Sequence, residues 1–148
     1  MTVDYIVSSL PTLRFEEPPH ITWPRFMDIV GEDFALPERW NDIDTQLRNA
    51  LAEVRGDPGA ARQTEGCSLY WKSRIVQCYS EKDVLRRQEA LDKVWWDAAG
   101  ELIDNAFPLG KGALFAYAVR LRIALRRANI SSRSGSLVFE KCLKEGLK

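Results

Sequence analysis

His20 and the three cysteines Cys67, Cys78 and Cys142 are the residues of this 148-residue chain best suited to nucleophilic or metal chemistry. A lone histidine builds no imidazole metal site, and no cysteine stands at the spacing a zinc site needs. A Ser-His-acid triad would have to use His20, wedged behind Pro18-Pro19, and no Gly-x-Ser-x-Gly elbow is present to offer the serine. Three cysteines at unrelated spacings do not make a disulfide framework; reduced thiols packed as small core residues are expected. Gly110-Lys111-Gly112 comes nearest to a phosphate loop, but lacks the spacing and reads better as a tight turn between helices. The acidic pairs Glu16-Glu17 and Glu32-Asp33 have nothing apolar around them to shift a pKa. Trp95-Trp96 could form a ligand platform, though one indole in the core and its neighbour at an interface is the commoner arrangement. No catalytic centre, no cofactor and no metal are expected.

Charge points instead toward binding. Lys+Arg and Asp+Glu are 21 each, yet unevenly placed. Residues 1–66 hold 6 basic and 12 acidic residues (net −6), residues 67–110 hold 6 and 7 (net −1), and residues 111–148 hold 9 and 2 (net +7). A basic pole can serve nucleic acid, anionic lipid, an acidic protein partner or the chain's own acidic part. Arg120, Arg122, Arg126, Arg127 and Arg133 could grip phosphates, but they fall on two flanks of one helix, with no recognition motif or stacking aromatics. Nucleic acid is therefore not expected as a partner.

The elements that carry these residues read as helices. Tyr5 to Phe15 is apolar and too short for periodicity to separate helix from strand. Thr22, followed by Trp23-Pro24, starts a short helix ending near Gly31. From Glu38 to Arg55 the apolar positions Trp40, Ile43, Leu47, Ala50, Leu51 and Val54 form one stripe, Asp44 and Arg48 pair on the wet face, and Gly56 stops the helix. A loop is expected at 56–66, then a partly buried helix from Cys67 to Tyr79 with Leu69, Tyr70, Ile75 and Val76. Ser80 should cap a long helix from Glu81 to Phe107, with its core stripe on Val84, Leu91, Trp95, Ala98, Leu102 and Ala106 and with Leu85, Trp96 and Ile103 lying off it.

The helix from Lys111 to Ala128 is apolar on two sides. Leu114, Tyr117, Ala118, Leu121, Leu125 and Ala128 form one stripe, and Phe115, Val119 and Ile123 a second, roughly opposite, with Arg122 and Arg126 on one border and Arg120 and Arg127 on the other. Two apolar sides mean either burial between layers or a partner on one of them. On the second reading, Trp96, Phe115, Val119, Arg122, Ile123 and Arg126 are the candidate partner-binding residues. A last helix is expected after Asn129-Ile130-Ser131, with Val138, Phe139, Cys142, Leu143 and Leu147 on one face. The fold class is all-α: one domain, 1–148, of five to six helices, with an acidic N-terminal part (1–66), a basic C-terminal part (111–148) and an N-terminal segment of open structure. No apolar run spans a bilayer, and an acid sits where a secretory leader would be basic, so a cytoplasmic chain is expected.

Three segments, in order, resemble a known family. They are Tyr5-Ile6-Val7-Ser8-Ser9-Leu10-Pro11-Thr12-Leu13 with Phe15 and Pro18-Pro19; Leu47 to Arg55 after Trp40; and Leu114 to Ile123 followed by Phe139-Glu140-Lys141. Together they look like an uncharacterised bacterial family encoded beside the components of V-type ATP synthases, which stands in for the helical C subunit (d in eukaryotes) that caps the rotor ring. Members of that family are often longer and tend to carry Trp after the basic residue, where this chain has Arg126-Arg127-Ala128. The resemblance implies a non-catalytic subunit or assembly factor of a V-type ATPase, cytoplasmic, touching the membrane only through its complex. Its partners would be rotor-ring or central-stalk subunits. A free-standing helical adaptor is the alternative.

Overall fold

The computed structural model describes residues 2–56 and 68–146, with side chains through Ile130. The described residues form six α-helices and no strand; an isolated bridge joins Asp104 and Phe107. The expected loop beyond Gly56, Cys67, and the side chains of Cys142 and of the apolar face at Val138–Leu147 lie outside what is described.

In the N-terminal segment left open between helix and strand, Val3–Ser9 is a helix, α1, followed by Pro11 and a stretch without regular structure that turns at Phe15. α2 (Trp23–Val30) begins as its sequence predicts: the Thr22 hydroxyl oxygen accepts from the Arg25 N–H at 3.3 Å, and Pro24 occupies the first turn. Gly31 ends it at φ 94°, a conformation open to glycine and strained for other residues. α3 (Glu38–Val54) buries Trp40, Ile43, Leu47 and Ala50 from the expected stripe.

α4 (Leu69–Cys78) turns a different face inward. Trp71, Ile75 and Cys78 are buried, while Leu69, Tyr70 and Val76 are exposed. α5 (Val84–Ala99) is shorter than expected at both ends. Its cap is Asp83, whose carboxylate accepts from the Leu85 and Arg86 N–H groups, and the Ser80 hydroxyl instead donates back to the Gln77 carbonyl at 2.6 Å. The helix tightens into a 3-10 turn at Gly100–Leu102 and then leaves helical geometry, with Asp104 Oδ1 accepting from the Ala106 N–H. Val84 and Phe107 are therefore exposed, and Ala106 is not core.

α6 (Lys111–Gly146) is one helix, not two. The expected cap at Ser131 starts no new helix. No proline lies between 111 and 146, and Asn129, Ser131 and Ser132 cost a helix only tenths of a kcal/mol each (about 0.5 apiece). Its first turn lies against the 3-10 turn: a Cβ at Gly112 would clash with the Leu102 carbonyl oxygen and stand 3.3 Å from Ile103 Cα. The glycine of the supposed phosphate loop is thus required for packing.

Two apolar clusters share α6. On one side Ala116, Val119, Ile123 and Ala124 join the buried residues of α3, α4 and α5; on the other Leu114, Ala118 and Leu121 join Leu10, Ile21 and Phe26. At about 100° per residue these two sets fall on opposite sides of the helix. α6 is the middle layer, and both of its stripes are core.

Candidate functional site

The burial of both α6 stripes relocates part of the expected partner surface. Trp96 is 6% exposed, Val119 5% and Ile123 6%. Trp96 packs edge-on against Phe15 at 5.5 Å, and half-buried Phe115 lies 5.8 Å from Phe34. This corrects the expectation for Trp96, whose ring is spent inside the chain because burial between layers, the other outcome that two apolar sides allow, is the one found; half-buried Phe115 does not line the groove described next.

The other four candidates come together at a groove. α3 and α6 both pack on α5, and between them opens a cleft of about 360 Å³. Val119, Ile123 and Leu91 form its floor, with Trp40, Leu51 and half-buried Trp95 on the walls. Arg122 and Arg126 stand on the α6 rim, with Arg48 and Arg55 on the α3 rim. Val119 and Ile123 thus belong to the core and to the groove floor at once.

Two carboxylates hold the walls. Asp92, on α5, is 5% exposed and is the one buried charged residue among those whose burial is described. Its Oδ1 accepts from Arg126 Nη2 at 2.6 Å and from Gln88 Nε2 at 3.0 Å, and Arg127 Nη1 lies 3.9 Å from Oδ2. These bonds satisfy the buried carboxylate and fix α5 to α6. Asp44, on α3, accepts from Trp95 Nε1 at 2.9 Å and from Arg48 Nε at 3.0 Å, fixing α3 to α5. The Asp44–Arg48 pair is the one its spacing predicts; the indole partner and the role of Asp92 are not evident from the sequence. The nearest signal is Gln88 four residues before Asp92, in a helix buried on both sides.

The four arginines of α6 between 120 and 127 all have contacts within the chain. Arg120 Nε donates to the Trp96 carbonyl at 3.0 Å, Arg127 lies 3.8 Å over the Phe15 ring and 3.5 Å from Glu89, and Arg122 lies 4.5 Å over Trp23. Among the described residues the carboxylates that pair with them, Asp92 and Glu89, come from α5 and not from the acidic N-terminal part. No family model, curated protein or solved structure matches the chain.

The titrations the fold moves lie away from the groove. Burial pushes the Tyr117 phenol up to about 12, with its hydroxyl donating to the Pro11 carbonyl at 2.6 Å. Burial also raises the Cys78 thiol, against the opposing pull of Arg74, and lowers Arg120. His20 is exposed, and no group of three or more His, Cys, Asp or Glu among the described residues is placed to hold a metal. No helix among them is long and apolar enough to cross a membrane. A groove with arginine edges, hydrogen-bonded walls and half-buried Leu36, Leu51 and Trp95 is suited to receiving a side of another protein.

Proposed function

We propose that this chain is a non-catalytic, protein-binding subunit or assembly factor of a V-type ATPase or ATP synthase, of the C/d type, cytoplasmic and peripheral to the membrane through its complex. The observation that carries the binding role is the groove between α3, α5 and α6, where Val119, Arg122, Ile123 and Arg126 meet. Exposed arginines beside half-buried aromatic and aliphatic side chains, here Trp95, Leu51 and Leu36, are common anchors of protein interfaces. The ATPase assignment rests on the ordered likeness of the three sequence segments, above all the Ser-Leu-Pro opening; a free-standing adaptor would use the same groove.

Co-expression with rotor-ring and central-stalk subunits tests it. The chain should co-elute with them on size exclusion. Assembly of those subunits that leaves the wild-type chain wholly in the free fraction would overturn the assignment.

A further inference from the structure

The rim arginines differ in what neutralises them. Arg48 and Arg126 have Asp44 and Asp92. Arg55 donates to the Tyr79 hydroxyl at 2.6 Å and Arg122 lies over the Trp23 ring; neither has a carboxylate partner among the described residues. A hydroxyl and a ring face leave a guanidinium its full charge. Among the described residues the groove thus has one cation without a carboxylate partner on each rim, and partly exposed apolar side chains at Leu36, Leu51 and Trp95.

Its length is set by α3, whose lining residues Trp40, Asp44, Arg48, Leu51 and Arg55 repeat every three or four positions. That run of helix is roughly 22 Å long, matching an occupant helix of about 15 residues. We infer that the groove binds an acidic amphipathic helix of a partner protein, its apolar side chains on Leu36, Leu51 and Trp95 and its carboxylates toward Arg55 and Arg122. This rests on the reading of the chain as a protein-binding subunit. Helix-in-groove docking uses apolar anchors at three- and four-residue spacing on the occupant. A nucleic acid fits less well: Trp40 is 7% exposed and offers no ring face for a base, and two of the four arginines are already paired.

The test is selection of random peptides of about 15 residues on the full-length chain, followed by affinity measurement. The selected sequences should be rich in Asp and Glu, with apolar residues three or four apart. Their affinity should fall about tenfold or more in Arg55→Glu/Arg122→Glu, a pair of exposed changes that leaves the thermal melt in place, and should weaken as salt is added. Replacing the peptide carboxylates with Lys should restore binding to that variant. Peptides without acidic enrichment, affinity unchanged by the charge reversal, or displacement by single-stranded DNA at lower concentration than by acidic peptide would each overturn the inference. ATPase subunits that still bind Arg55→Glu/Arg122→Glu would overturn it too, leaving the proposed ATPase role intact.

Discussion

Arg126 Nη2 stands 2.6 Å from Asp92 Oδ1, across the seam between α5 and α6, with the carboxylate buried and the guanidinium half in water. The asymmetry decides what each deletion does. Arg126→Met strands the carboxylate, but Gln88 and Arg127 remain, so a loss of about 1–3 kcal/mol is expected in urea unfolding. Asp92→Leu/Arg126→Met should lose less than the sum of its single changes, because no unpaired charge is then left buried. Additive losses would mean that the pair is not coupled.

The double-sided burial of α6 predicts how its residues respond to charge. Ile123→Asp places a carboxylate in the core and should unfold the chain, a loss of about 4 kcal/mol or more by circular dichroism melts. Ile123→Ala should cost about 2–4 kcal/mol, and Trp96→Ala about 3–5. Arg122→Glu, on the rim, should stay within about 1 kcal/mol of wild type. A folded Ile123→Asp protein would show that this stripe is not core.

Gly112→Ala should be costly in spite of the better helix propensity of alanine. The added methyl meets the backbone of the 3-10 turn, which cannot rotate away, so a loss of about 2–3 kcal/mol is expected. Gly31→Ala should cost about 1–2 kcal/mol for another reason: φ of 94° is strained for alanine, although nothing lies within 4 Å of its methyl. Thermal melts of the two variants, compared with Gly110→Ala, separate contact from backbone strain.

Tyr117 gives the chain a defined response to alkali. Its phenol ordinarily ionises near 10 and in the fold near about 12, because burial disfavours the phenolate. The unfolded chain loses this proton first, so the contribution of Tyr117 to stability is complete below pH 10 and is lost as pH rises through about 12. Allowing for its partial exposure, it amounts to about 1–2 kcal/mol. Ultraviolet titration should show a tyrosine component with a midpoint near pH 12 that disappears in Tyr117→Phe.

Legibility in the sequence follows how many sides of a helix are packed. α3 rests on the core along one stripe, and Trp40, Ile43, Leu47 and Ala50 can be read directly from their spacing. α2 is bracketed by Thr22, Pro24 and Gly31, whose effects are local. α5 packs against α3 and α4 on one side and α6 on another, so the two tryptophans exchange the expected roles. Trp96 is buried, while Trp95 is half-buried with its indole N–H on Asp44. The end of α5 falls earlier than its sequence suggests because Pro108 constrains only its own neighbours, whereas the Gly112 contact with Leu102 is set by tertiary packing. The groove is legible only as separate arginines and aliphatics, since its walls come from helices far apart in the chain.

Hydrogen–deuterium exchange of the full-length chain, with and without assembled rotor and stalk subunits, tests the docking role most directly. Slower exchange should appear on binding along α3 between Trp40 and Arg55 and along α6 between Val119 and Arg126, with α1 and α2 unchanged. Protection confined to α1, α2 or the exposed face of α4, or exchange identical in the two samples, would contradict it.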